Sequence, residues 1–178
     1  MKGILRILSL IICLTIIVSW SPIKTNKTTF VAISMTTKGF MQKGYGIIMT
    51  LMNKETKEIF KSKSLGPISP HAMFSDLPAG KYLVSKIEVP LGQLMYINQT
   101  KELTAFFGVL EFEPEKKYYL GNFTGNREIG RKNVFHLWLD KPDIHPKLLK
   151  KLRKKKIELT EEDLIKTFPY EKEMLTIY

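Results

Sequence analysis

Cysteine is all but missing from this chain. Cys13 stands alone and lies in the N-terminal apolar segment, so the folded part has no intrachain disulfide and no thiolate metal site. Acidic residues are scarce beside basic ones, 17 against 28, for a formal net charge of +11. Gly80-Lys81 lacks both the upstream glycine spacing and the following Ser or Thr of a phosphate loop. The nucleophile-elbow pattern of α/β-hydrolases is absent, as is any internal repeat or low-complexity tract. These absences point away from a nucleotide-driven enzyme, a serine hydrolase of that class and a solenoid, and no cofactor motif is present.

What the chain has is enough length for a core and a leader. At 178 residues it allows one domain plus a tail, and a domain of about 150 residues buries roughly 68–70% of its unfolded surface without staples. Residues 1–21 open with Lys2 and Arg6 and run on from Ile7 to Trp20 as an apolar stretch of about 14 residues. A basic start before a run shorter than the roughly 20 residues of a spanning helix has the form of a secretory signal. The cleavage site is poor, since Pro22 follows Ser21 directly, which leaves an uncleaved anchor as the alternative. Cys13 invites comparison with a lipoprotein attachment cysteine, but Ile12 precedes it and apolar residues continue after it. Export is the expectation. Without Lys2 and Arg6 the charge is still +9, which favours anionic lipid surfaces or acidic glycans, or an envelope protein, over nucleic acid.

Residues 22–27 read as a linker and 28–141 as a β-sandwich. Thr28 to Thr36 is rich in β-branched and aromatic residues and predicts a first strand. Tyr45, Ile47, Met49 and Leu51 alternate as a half-buried strand, Asn53 to Thr56 turns the chain, and 57–64 is an edge strand blunted by Lys57, Lys61 and Lys63. Pro78 and Gly80 make a turn that feeds a strand through Tyr82 and Val84. Ile87 and Val89 then sit on the opposite parity, predicting either a bulge near Ser85-Lys86 or a strand covered on both faces. Leu103 to Phe112 is the most apolar stretch of the body and reads as a central strand bent at Gly108. Residues 117–123 read as its hairpin partner and 134–139 as the last strong strand. Seven or so short strands with no alternating helices argue for an antiparallel sandwich.

The phrase F-x-x-L-P-A-G-K-Y-x-V, from Phe74 to Val84, resembles the turn and strand of carboxypeptidase-regulatory-like and transthyretin-like β-sandwich modules of secreted and envelope proteins. The likeness covers about a dozen residues. It implies an immunoglobulin/transthyretin-like sandwich with a binding or structural role, and carries no catalytic residue with it. Similarly, F-E-P-E-K-K-Y-Y-L-G-N resembles a strand-turn-strand of small bacterial envelope proteins, with Lys116 or Lys117 at a turn position usually held by glycine.

From 142 to 178 the character changes to a helical appendage. Pro146 suits the first position of a helix, Leu148 and Leu152 share a face, and Lys147, Lys150, Lys151, Arg153, Lys154, Lys155 and Lys156 make it strongly basic. A basic amphipathic helix can lie against an anionic surface, whereas Glu158, Glu161, Glu162 and Asp163 just beyond it can fold back and neutralise it. A second short helix is expected from Thr160, ended by Pro169. Asp140, Asp143 and His145, with His136 upstream, carry the side chains of a divalent metal site or of acid–base chemistry, yet Asp140 to Asp143 is equally turn chemistry. Ser69, His71 and Asp76 supply triad residue types within eight positions, although a triad is a matter of geometry. Tyr96, Tyr118, Tyr119 and Trp138 are candidates for a carbohydrate-stacking platform, with core packing the simpler role for each. Three formal glycosylation acceptors start at Asn26, Asn98 and Asn122. The sequence thus predicts an exported, non-catalytic, mainly β binding or structural module of the cell envelope.

Overall fold

The computed structural model describes residues 28–38, 47–66, 69–91, 93–97, 100–128, 134–141, 143–166 and 174–177. The leader, Cys13 and the 22–27 linker lie outside them. Among the described residues no helix is long and apolar enough to cross a membrane.

The chain is mainly β and forms two sheets. The larger comprises β1 (Thr28–Lys38), β4 (Lys63–Ser64), β5 (His71–Pro78), β9 (Lys117–Glu128), β10 (Val134–Lys141), β11 (Ile165–Lys166) and β12 (Met174–Ile177), in the order β12-β10-β9-β1-β5-β4 with β11 beside β9. The smaller comprises β2 (Ile48–Asn53), β3 (Ile59–Lys61), β6 (Gly80–Leu91), β7 (Gln93–Ile97) and β8 (Leu110–Phe112), with β7 and β8 both on β6. One apolar core joins the two sheets. Val31, Ile33, Phe74, Leu120 and Phe123 from the larger sheet meet Met49, Leu51, Tyr82, Val84 and Ile87 from the smaller.

Two bulges set which side chains enter that core. Leu51 pairs with Val84 and Thr50 with Lys86, so Ser85 is the extra residue. This is the bulge expected from the parity slip, and it brings Val84 and Ile87 to the same buried side. In β9, Ala32 pairs with Tyr119 and Ser34 with Asn122, and Gly121 takes a φ of 119° within the extra stretch. Leu120 and Phe123 thereby both reach the core.

The turn at Pro78 to Gly80 joins the two sheets rather than closing a hairpin. Gly80 holds a φ of 152°, and the Tyr82 hydroxyl donates to the Pro78 carbonyl at 2.6 Å, bracing the corner. The hairpin at Asn53 matches expectation. The Asn53 Oδ1 accepts from the N–H groups of Glu55 and Thr56 at 2.9 and 3.0 Å.

Four expectations are corrected. The apolar stretch from Leu103 is not a strand: α1 (Thr100–Phe107) occupies it, and only β8 follows. Leu103, Phe106 and Phe107 are spaced i, i+3, i+4 and form one buried helical stripe, while Gly108, at φ 68°, donates to the Thr104 carbonyl and ends the helix. The segment after Glu113 crosses to the other sheet instead of pairing back on β8, and β1 pairs β9 in parallel, so the larger sheet is mixed rather than purely antiparallel. Residues 57–64 are two strands, β3 and β4, one in each sheet. No second helix starts at Thr160; β11 and β12 join the larger sheet instead, because pairing with Tyr118-Tyr119 and with β10 outweighs a short helix's propensity.

Candidate functional site

The appendage does contain its basic helix, α2 (Pro146–Lys154). His145 caps it, its Nδ1 accepting from the Lys147 N–H at 3.2 Å, and Pro146 opens the first turn where a missing N–H costs nothing. At the far end the Ile157 N–H reaches the Leu152 carbonyl at 3.1 Å and the Lys156 N–H the Arg153 carbonyl at 2.9 Å. That is a Schellman ending, with Lys156 at φ 60° in the place glycine usually fills.

Leu148 and Leu152 are fully buried and clamp α2 onto the outer face of the larger sheet, in a second core with Ala32, Met73, Tyr119, Leu159 and Leu164. The sheet is therefore covered on both faces where α2 lies. Lys147, Lys150, Arg153, Lys154, Lys155 and Lys156 are exposed and Lys151 is half-buried. Burial first, then Lys147 and Lys154, holds the Lys151 ammonium below its usual pKa. Elsewhere, ion pairs join Lys81 to Glu111 and Lys86 to Glu88, and Asp163, beyond the helix, accepts from the Thr160 N–H at 2.7 Å and hydroxyl at 3.0 Å.

Beneath α2 lies a polar cluster that sequence reasoning did not assemble. His71 of β5 is wholly buried; its Nδ1 lies 2.8 Å from the Ser34 Oγ, and its Nε2 has no hydrogen-bond partner. The His71 ring meets that of His145 edge-on, centroids 4.8 Å apart. The Tyr119 hydroxyl, on β9, accepts from the His145 N–H at 3.4 Å. Burial, then His145, Lys151 and Lys147, lowers the His71 pKa to about 3. Burial and Lys147 likewise lower that of His145. In the sequence His71 stood out only beside Ser69 and Asp76, which does not say what faces it in the fold.

The other expected constellations do not form. Asp140 and Asp143 are exposed, the His136 Nδ1 lies 3.1 Å from the Thr176 Oγ1, and His145 is committed to capping α2. Among the described residues no three His, Cys, Asp or Glu side chains are grouped as metal ligands. The Ser69 Oγ accepts the His71 backbone N–H at 3.2 Å, while the imidazole bonds Ser34 and Asp76 takes the Ser75 hydroxyl at 2.7 Å. Those three are no triad. Tyr118 and Tyr119 are both buried, so neither serves a sugar platform; Trp138 is half-buried on β10, and the Tyr96 side chain lies outside the described residues. The Asn122 Oδ1 is buried without a hydrogen-bond partner.

A second surface feature lies at the crossing from β3 to β4. Ser62 is buried between them, exchanging bonds with Met49: its N–H donates to the Met49 carbonyl at 2.9 Å and its Oγ accepts the Met49 N–H at 2.8 Å. Beside it opens a cleft of about 140 Å³, lined by Phe60, Lys61, Lys63, Phe74, Asp76 and Leu77 among others.

No protein-family model and no curated protein matches the chain. Among solved structures, a leucine-rich repeat protein from Bacteroides thetaiotaomicron is similar over 56% of this chain at 15% identity, with a TM-score of 0.32. The likeness spans 14% of that protein's chain. At such a score it bears on neither fold nor function.

Proposed function

We propose that the protein is an exported, non-catalytic β-sandwich module of the bacterial cell envelope that makes contact with an anionic surface through the basic face of α2. The observation that carries this reading is the mounting of α2. Its leucines are spent on the sheet, which leaves Lys147, Lys150, Arg153, Lys154, Lys155 and Lys156 exposed, with no ion pair to an acid among the described residues. Juxtaposed lysines repel one another, so an array of this kind is relieved by an anionic counter-surface, at about 1 kcal/mol per charge near a membrane. Export rests on the leader sequence and the basic start before it.

The immunoglobulin/transthyretin-like assignment is supported by two sheets sharing one core and by the Tyr82–Pro78 bond at the corner between them. A tyrosine that bonds backbone a few residues upstream is a recurring corner device of immunoglobulin-type sandwiches. Sedimentation with vesicles of phosphatidylserine and phosphatidylcholine tests the contact. The protein pellets with them at low salt and is released as salt rises; replacing Lys150, Lys151, Lys154, Lys155 and Lys156 with Gln abolishes binding. Failure to pellet at low salt ends this reading.

A further inference from the structure

The larger sheet has an unfinished edge. β1 covers one side of β5 from His71 to Pro78, but β4 covers the other side only at Ala72 and Met73. From Phe74 to Pro78 no strand lies beside that outer side among the described residues. A strand edge left open presents backbone donors and acceptors to any extended chain. The cleft sits next to it. Its floor is apolar, from Phe60, Phe74 and Leu77, and its rim carries two ammonium groups, Lys61 and Lys63, against the single carboxylate of Asp76. Asp76 already accepts the Ser75 hydroxyl, whereas Lys61 and Lys63 are exposed.

We propose that this edge takes an added strand from an acidic, extended polypeptide, which continues the sheet past β4, seats one apolar side chain over Phe60, Phe74 and Leu77, and sets carboxylates against Lys61 and Lys63. Charge complementarity selects the occupant. Alternate side chains of an added strand point to opposite faces, so an apolar residue flanked by Asp or Glu meets the cleft and its rim in register. The bulge in β5, where Phe74 pairs with Val31 and Leu77 with Thr29, stops a long neighbouring strand from pairing without interruption and limits the added strand to a short one. The surface is separate from α2 and does not depend on the reading given for that helix.

The test uses the full chain and three labelled peptides: acetyl-Glu-Val-Glu-Leu-Glu-Val-Glu-amide, its counterpart with Lys for every Glu, and the acidic peptide N-methylated at alternate backbone amides. The acidic peptide binds at least about tenfold tighter than the basic one at low salt, as rim charges dictate, and the N-methylated one does not bind. Amide exchange slows at 74–77 on binding. The double variant Lys61→Glu, Lys63→Glu reverses the preference between acidic and basic peptides. Absence of saturable binding by the acidic peptide means that the lysines merely block the edge, and overturns the proposal. So does binding that the double variant leaves unchanged, or protection that falls on α2 instead of β5.

Discussion

His71 carries a charge penalty that the rest of the fold imposes. Ser34 and Tyr119 lie on the sheet around it and His145, Lys147 and Lys151 come from α2 above, all neutral or basic. In the unfolded chain its imidazole takes up a proton near pH 6.5, whereas in the folded protein it does so only near pH 3. A depressed histidine contributes full stability above the unfolded value and loses it as pH falls from about 6.5 toward 3. By pH 4 that loss approaches about 3 kcal/mol. Thermal melts of the native chain and of His71→Gln at pH 7.5, 5 and 4 measure it: the native protein loses the larger share of its stability on acidification, and equal losses in both would contradict the role given to this residue.

Two backbone positions separate crowding from strain. A Cβ on Gly125 would lie 2.6 Å from the Phe135 Cζ, and Phe135 is itself buried. Gly125→Ala therefore destabilises by about 1–3 kcal/mol through overpacking; in urea melts, Phe135→Leu combined with it costs less than the two changes added separately. Lys156 faces the opposite problem, with room but a left-handed φ of 60°. Lys156→Gly raises the urea midpoint by the equivalent of about 1 kcal/mol, since glycine has no Cβ penalty there.

At the scale of elements, α2 was legible because its start, stripe and charge all lie within one short window. The bulge at Ser85 was legible for a similar reason: a parity slip in one strand needs no knowledge of its neighbour. α1 was not, because Leu103, Phe106, Phe107 and Leu110 form a dense apolar run whose helical spacing is hidden by the residues between them. Gly108 served as the helix's stop rather than as a bend. Gly108→Ala has nothing within 4 Å to strike, so its cost is that of the φ alone, about 1 kcal/mol in an equilibrium melt. The end of the chain misled for a different reason. The acids after Thr160 mark a helix start locally, but Ile165 and Leu175 find partners in Tyr118 and Leu137, and such long-range pairing leaves no local mark. The same holds for the His71 cluster, built from β1, β5, β9 and α2.

Over the whole molecule, the two sheets share one apolar core and α2 packs on the outer face of the larger. The sequence carried the mainly β class and the basic patch through composition and pattern, and left out the crossings at Ser62 and Glu115 that decide which sheet each strand joins. Glu115 takes a φ of 63° and its N–H donates to the Thr28 carbonyl at 2.9 Å, so the left-handed residue falls just before the lysines where the resemblance placed it. An environment-sensitive fluorophore attached at residue 150 of a Lys150→Cys chain, and in a second preparation at residue 57 of a Lys57→Cys chain, both with Cys13→Ser, tests the mounting of α2 most directly. On adding phosphatidylserine vesicles at low salt the label at 150 brightens and shifts to the blue while the label at 57 does not. Equal shifts at both positions, or none at 150 while the protein pellets with the vesicles, would contradict contact through the basic face of α2.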